Sequence, residues 1–311
     1  VSYQYLCAKT AGDNRRVPSD PSPNPAPVPP KPAAPLPVTH YENFPVASWL
    51  CPPALRAPIA AIYAFARTAD DIADEGDAAP SQRLADLNDF ETELLAVASG
   101  AAPGTRWREV FGPLAAMIER HALPLPLLTD LLSAFRQDVE RTQSAQPYAD
   151  RAALLDYCRR SANPVGRLLL HLYGVNDAPA LAQSDAICTA LQLINFWQDL
   201  SVDLPRRRWY VPQADAAAQA LRAQDLLAQP RTPASDRLVA DLARWARHCM
   251  EGGAPLVHRL PGRAGWELRL VVQGGLRVLD KIDALQGACL TQRPRIRAWD
   301  APLLLVRAMA M

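Results

Sequence analysis

The sequence predicts an all-α protein, and three of its features indicate this fold class. Glycine is sparse, with 14 among 311 residues. Alanine, leucine and arginine are abundant after residue 38, and all three favour helices. The alternation of apolar and polar residues that is typical of a half-buried strand is hard to find there. We therefore predict about eight to ten helices, with no composition shift that would divide residues 39–311 into two domains.

Proline and glycine indicate where the helices end. Ten of the 30 prolines lie between Pro18 and Pro37, so we predict that residues 1–38 are a disordered, proline-rich leader. In the rest of the chain, clusters of these two residues predict the connections between helices. The predicted breaks lie at 52–53, 76–80, 100–104, 124–126, 174–179, 205, 230–233, 252–255 and 261–265.

Charge and cysteine content exclude several classes of protein. The 33 Lys and Arg nearly balance the 32 Asp and Glu, so the chain lacks the basic field of a dedicated nucleic-acid-binding protein. The six cysteines have neither the spacing of a zinc knuckle nor that of a redox CxxC pair, which predicts reduced thiols. No stretch approaches the roughly 18 consecutive apolar residues of a bilayer-spanning helix. We expect a cytoplasmic protein that touches the inner membrane face only peripherally.

The helix predicted over residues 58–75 carries a row of carboxylates in its last turn. At 3.6 residues per turn, four side chains share one face and a fifth lies beside them. These residues are Tyr63, Arg67, Asp70 and Asp74, with Asp71 beside them. Negative charge at this end opposes the helix dipole, so folding alone would favour cations there. Either a hard cation such as Mg²⁺ binds the row, or the row is a solvated acidic helix end.

A second row follows on the helix predicted over residues 180–204. Asn195, Asp199 and Asp203 are spaced i, i+4 and i+8 in an otherwise apolar segment, with Gln192 just before them. Buried carboxylates are costly unless they are paired or bind a metal, so the alternative is an internal ion pair with an arginine. Two such rows facing each other would hold a diphosphate through bridging Mg²⁺ and favour its departure from carbon.

Arginines 206–208 follow the second row directly. They would close over a departing anion, or form a solvated basic loop.

Five stretches together resemble the squalene and phytoene synthase family, in an order and separation that match it over nearly all of residues 39–290. The stretches are HYENF at 40–44, YAFARTADDIADE at 63–75, YC at 157–158, LQLIN with its two following aspartates at 191–203, and RWYVP at 208–212. The resemblance implies a class I isoprenoid synthase fold, all-α with a central cavity. It also implies an isoprenoid diphosphate substrate and Mg²⁺ as cofactor.

The resemblance also assigns roles to individual residues. The implied catalytic residues are Asp70, Asp71, Asp74, Tyr157, Asn195, Asp199 and Asp203. The implied metal ligands among them are Asp70, Asp74, Asn195, Asp199 and Asp203. The residues expected to contact substrate are His40, Tyr41, Asn43, Phe44, Tyr63, Arg67, Gln192 and Arg208. Tyr157 matches a tyrosine implicated in proton transfer or cation handling, and a packing aromatic is its alternative.

Departures from the family pattern narrow the expected reaction. Tyr41 and Asn43 replace serines that contact diphosphate, Gln198 replaces a common arginine, and Val202 replaces an acidic residue. Fewer cationic contacts suggest that one diphosphate is handled rather than two. The residues of these motifs are most similar to those of the hopanoid-pathway branch of the family, the hydroxysqualene synthases. That likeness implies conversion of presqualene diphosphate and water to hydroxysqualene and diphosphate.

Two alternatives stay open from the sequence. One is head-to-head condensation of two farnesyl or geranylgeranyl diphosphates to presqualene diphosphate, squalene or phytoene. The other is a non-catalytic helical partner protein. A di-iron bundle would need Glu-x-x-His pairs, and the sequence has none. Contacts with a membrane surface and with enzymes of the same pathway are further expectations.

Overall fold

The computed structural model describes residues 51–222, 225–228, 231–260 and 262–311. The predicted leader over residues 1–38 lies outside these ranges. Within them the chain is helical and contains no strand, which confirms the all-α prediction. No helix in the described part is both long enough and apolar enough to cross a bilayer.

Thirteen α-helices occur in the described ranges, and ten of them have nine or more residues. They are α1 (Pro53–Asp74), α2 (Pro80–Ala98), α3 (Arg108–His121), α4 (Leu125–Ser144), α5 (Arg151–Ser161), α6 (Asn163–Leu172), α7 (Ala178–Gln198), α8 (Leu200–Asp203), α9 (Gln213–Ala218), α10 (Asp225–Ala228), α11 (Pro233–Gly253), α12 (Gly262–Leu285) and α13 (Ala301–Met309). Short 3₁₀ turns follow α8, α11 and α12 and precede α13. Most connections coincide with the predicted proline and glycine clusters.

Two predicted helix limits differ from the structure. Helix α1 begins at Pro53, before the predicted residue 58, and Pro58 lies within it. The helix predicted over 180–204 is broken at Asp199, which separates α7 from α8. At this break Gln198 Nε2 donates to the Pro294 carbonyl at 2.7 Å, and Asp199 pairs with Arg293. Tertiary contacts of this kind override the helix propensity of the local sequence.

The apolar side chains form two clusters. The first joins α1, α2, α3 and α4, and its centre stacks Phe65 on Phe90 with ring centroids 5.2 Å apart. The second is built around α7, which packs against α5, α11 and α12. A Cβ atom at Gly253 of α11 would lie 2.6 Å from the Gln183 carbonyl oxygen of α7, so only glycine permits this close approach. The two acidic rows therefore belong to different clusters.

Candidate active site

The first acidic row lies at the end of α1 around Arg67. Arg67 Nη2 lies 2.6 Å from Asp71 Oδ1 and 3.1 Å from Glu75 Oε1, and Nη1 lies 3.4 Å from Asp70 Oδ2. One half-buried guanidinium is thus shared by three carboxylates. Tyr63, one turn before Arg67 on α1, is also half-buried. The helix end is therefore only in part neutralised by its own side chains.

Burial governs the ionisation of this row. Asp70 is 3% exposed, and its burial raises its pKa to about 6. Arg67 opposes the rise, whereas the charges of Asp74 and Asp138 add to it. Burial also raises the pKa of Asp71. Carboxylates whose charge is this poorly compensated are suited to binding a cation.

The second row lies at the junction of α7 and α8. Asp203 is buried, and this burial raises its pKa to about 7, with a further contribution from Asp199. Asp199 is buried as well and pairs with Arg293, whose Nη2 lies 3.1 Å from Oδ2. Burial raises the pKa of Asp199 although Arg293 acts in the opposite direction. Asn195, one turn earlier, is half-buried.

Arg208 connects the two rows. Its backbone N–H donates to the Asp203 carbonyl at 3.0 Å, and its guanidinium pairs with Asp74 of α1. Burial acts to lower the pKa of Arg208, but Tyr210, Asp74 and Asp203 raise it. Its buried Nη1 has no hydrogen-bond acceptor among the described residues. A buried guanidinium with a spare donor, flanked by both rows, is suited to receive an anion.

Tyr157 joins the site through a residue that sequence reasoning missed. The Tyr157 hydroxyl on α5 donates to Asp138 Oδ2 of α4 at 2.8 Å, and Tyr157 is 1% exposed. The Asp138 carboxylate also contributes to the raised pKa of Asp70 and to that of Arg208. Asp138 lies on the apolar face of α4, three residues after Phe135 and beside Val139. A carboxylate on an apolar face was the signal that would have identified it.

An aromatic cluster lies next to these charges. Phe196 and Tyr210 stack with centroids 3.9 Å apart and an interplanar angle of 9°. Tyr157 lies 6.2 Å from Phe196 and 5.8 Å from Tyr148. A narrow pocket whose lining includes Asp138, Tyr148, Arg208 and Tyr210 opens beside the cluster. Aromatic faces and acidic side chains thus meet in one region.

The remaining predicted residues divide into two groups. On α7, Gln192 is buried one turn after Thr189, whose hydroxyl donates to the Asn163 side chain at 3.0 Å. The predicted contacts at His40, Tyr41, Asn43 and Phe44 lie outside the described residues.

The donor set fits a hard divalent cation. All the predicted ligands offer carboxylate or amide oxygens, and Mg²⁺ prefers such ligands. Within the described ranges no three His, Cys, Asp or Glu side chains converge on one point. Mg²⁺ usually takes one or two carboxylates together with substrate phosphates and water, so a three-residue cage is not required.

The helical fold and the two acidic rows are those expected of an all-α isoprenoid synthase. Residues 38–300 match the family model described as squalene/phytoene synthase. The chain therefore belongs to the squalene/phytoene synthase family, and it is an enzyme that processes prenyl diphosphates.

Curated relatives refine this placement. A hydroxysqualene synthase from Sinorhizobium fredii is 35% identical over 272 residues, which cover 86% of this chain and 88% of the relative. A second, from Rhodopseudomonas palustris, is 36% identical and covers 74% and 75%. A phytoene synthase from Thermus thermophilus is 30% identical and covers 86% and 88%.

Two solved structures share the architecture. Squalene synthase HpnC from Alicyclobacillus acidocaldarius superposes with a TM-score of 0.71 at 36% identity, covering 80% of this chain and 90% of that one. A dehydrosqualene synthase in complex with ligand gives a TM-score of 0.69 at 20% identity, covering 84% and 88%, and supports the fold alone.

Proposed function

We propose that the protein converts presqualene diphosphate and water to hydroxysqualene and diphosphate with the help of Mg²⁺. The carbon–oxygen bond to diphosphate breaks, and its electron pair leaves with the diphosphate. A new carbon–oxygen bond forms from water, which loses a proton. The observation that carries the proposal is the position of Arg208 between the two acidic rows, with a buried N–H donor that lacks an acceptor in the described chain.

The two rows supply the metal ligands in this proposal. Asp70, Asp74, Asn195, Asp199 and Asp203 would hold Mg²⁺, which when bound neutralises the diphosphate and favours its departure. Arg208 donates from Nη1 to a diphosphate oxygen, and Arg67 keeps positive charge beside the first row.

Aromatic and polar side chains of the buried interior handle the cation and the water. The faces of Tyr157, Phe196 and Tyr210 stabilise the positively charged carbon skeleton through cation–π attraction. The buried Asn163–Thr189 pair offers polar groups that position the water.

Two observations support a single diphosphate. Gln198 has a neutral amide, and its Nε2 donates to the Pro294 carbonyl, so this residue provides no charge for a second anion. Hydroxysqualene synthases are among the relatives at 35 and 36% identity. Condensation of two farnesyl diphosphates would need a second set of cationic contacts.

The test is a product assay on the purified full chain. Presqualene diphosphate and farnesyl diphosphate are supplied separately, with Mg²⁺ or with EDTA, and diphosphate and lipid products are measured. We expect hydroxysqualene from presqualene diphosphate and no C30 product from farnesyl diphosphate. Asp70→Asn should lower diphosphate release about a hundredfold, whereas exposed Asp77→Asn should leave it unchanged.

The same assay distinguishes the alternatives. A C30 product from farnesyl diphosphate would replace the proposal with head-to-head condensation. A presqualene diphosphate synthase is among the relatives of this chain, at 29% identity. Absence of any Mg²⁺-dependent diphosphate release from either substrate would contradict the proposed function.

The product class bears on where the protein acts. A C30 hydrocarbon with one hydroxyl is nearly insoluble in water, so it must pass into lipid or to a next enzyme. Peripheral contact with the inner membrane face and contact with pathway enzymes are therefore part of the proposed function.

A further inference from the structure

Helix α13 presents an apolar face to solvent. Ala308 is buried against α12 and Leu304 is half-buried, so this side of the helix packs on the protein. On the opposite side, Leu305, Val306 and Met309 are 54, 59 and 62% exposed. A helix that packs on one side normally carries polar residues on the other. The outer side of α13 therefore resembles a surface that is covered in use.

An exposed tryptophan lies at each end of α13, and each is paired with an arginine. Trp299 belongs to the 3₁₀ turn that leads into the helix, and the Arg297 guanidinium lies 4.8 Å from its ring centroid. At the other end Arg269 donates to the carbonyls of Ala308 and Met311, and it lies 5.2 Å from the Trp266 ring. Tryptophan and arginine at the rim of an apolar face are typical of groups that lie at a lipid headgroup layer.

The charge around this face is positive. Residues 293–311 contain four arginines and one aspartate, and two of the arginines, Arg293 and Arg307, pair with Asp199 and Asp280. That aspartate, Asp300, is buried and held by Arg277 and Lys281, so it adds no negative charge to the surface. Arg263, Arg295 and Arg297 are exposed. An anionic lipid surface complements this arrangement.

We propose that the outer face of α13, with Trp266 and Trp299, docks the protein on an anionic lipid bilayer. The apolar side chains enter the headgroup boundary while the arginines stay at the phosphates. A second copy of the chain is a poorer occupant, because a two-fold contact would bring the same arginines against each other. This surface lies on α12 and α13, and it gives the peripheral contact of the proposed function a specific location.

The test is co-sedimentation of the full chain with vesicles. The vesicles contain equal parts of phosphatidylglycerol and phosphatidylcholine, or phosphatidylcholine alone. We expect binding to the anionic vesicles that weakens as salt is added. Val306→Glu with Met309→Glu should reduce binding about tenfold or more, because two exposed apolar side chains are lost from the interface. Leu95→Glu on α2, at a residue that is 46% exposed, is the matched control and should bind as wild type.

Diphosphate release and the oligomeric state of each protein are measured as well. Diphosphate release from substrate in detergent micelles should be equal in all three proteins, which shows that the variants fold. Absence of wild-type binding, or equal binding of the double variant, overturns the proposal. A wild-type dimer that the double variant dissociates, with no vesicle binding by either, would assign the face to a second copy. Failure of catalysis in every protein would contradict the proposed function and leave the vesicle result standing.

Discussion

At the scale of single residues, the pair between Arg293 and Asp199 gives a direct test of the second acidic row. The side chains of both residues are largely buried, at 11 and 8% exposure. Removing one partner of a buried pair leaves a charge without compensation, so Arg293→Gln should lower the free energy of unfolding by about 3 kcal/mol in EDTA. Mg²⁺ should recover more stability in this variant than in wild type, because the Asp199 carboxylate is then available to it.

The measurement is urea unfolding with EDTA and with Mg²⁺. Arg295→Gln, at an exposed arginine two residues further on, is the control and should change the free energy by less than about 0.5 kcal/mol. If Mg²⁺ stabilises Arg293→Gln no more than wild type, Asp199 is not a metal ligand in this protein.

The sequence predicted where the acidic residues lie on their helices better than it predicted their partners. Spacing alone puts Asp70 and Asp74 on one helix face, and the structure has them there. It could not foresee that Arg208 would pair with Asp74, because the two residues are 134 positions apart. Asp138 did have a local signal, its position on the apolar face of α4, but its hydrogen bond to Tyr157 of another helix could not be predicted.

At the scale of helices, Arg83 should stabilise the C-terminal end of α1. From α2 it donates to the carbonyls of Ile72, Glu75, Gly76 and Ala78, at 2.7 to 3.0 Å. The Ile72 carbonyl lies in the last turn of α1, where the helix supplies no further N–H to it, and the other three carbonyls follow the helix end. Arg83→Met should therefore cost about 2 kcal/mol of stability and weaken Mg²⁺ binding at the adjacent first row.

Calorimetric titration of Mg²⁺ and urea unfolding would check both effects of Arg83→Met. Arg244→Met removes an exposed arginine that, among the described residues, pairs with Asp241 of its own helix, and it should have little effect on either quantity. Unchanged Mg²⁺ affinity in Arg83→Met would separate the helix end from the metal site.

The junction before α13 is held together by the buried carboxylate of Asp300. Asp300 accepts from Lys281 Nζ at 2.7 Å, from Arg277 Nε at 2.8 Å and from the Arg297 backbone at 2.7 Å. The hydrogen bond from Lys281 is the largest cause that holds the pKa of Asp300 below its usual range, and burial opposes it. Because the folded-state pKa is depressed, the stability it provides is present above the unfolded pKa of about 3.9. It is lost as the pH falls below that value.

Asp300→Asn should therefore lower stability by about 2 kcal/mol near neutral pH. Its free energy of unfolding should also fall less than that of wild type as the pH drops from about 6 to about 3. Urea unfolding across this range is the measurement, with exposed Asp89→Asn as the control. Parallel pH curves for Asp300→Asn and wild type would contradict the assignment.

Helix limits were predictable where they depend on local chemistry. Gly76 has a φ of 75° just beyond α1, in the left-handed region that glycine readily adopts. The break at Asp199 was not predictable, since the local sequence continues as a good helix. Its cause lies in the segment around Arg293 and Pro294, which contacts both Gln198 and Asp199.

At the scale of the whole molecule, the fold class and the family were predictable and the division of the core was not. The helix-favouring composition was sufficient to predict the fold class, and several motifs in the right order were sufficient to predict the family. The two apolar clusters depend on which helices pack together, as α7 and α11 do around Gly253. This division matters for function, because α1 carries one acidic row in one cluster and α8 ends the other row in the second.

A ligand that both rows bind should therefore stabilise the entire molecule. Pyrophosphate with Mg²⁺ would connect α1 to the segment after α8, so it should raise the thermal midpoint more than either compound alone. At a ligand concentration of about 100 times Kd the gain is about 2.7 kcal/mol. Arg208→Gln should lose most of this increment, whereas Arg244→Gln, at an exposed arginine of α11, should keep it. The quantity to compare is the ligand-induced shift in each protein, because Arg208→Gln also breaks the pair with Asp74. An equal shift in both variants, or an equal shift with EDTA in place of Mg²⁺, would show that the diphosphate does not bind between the two rows.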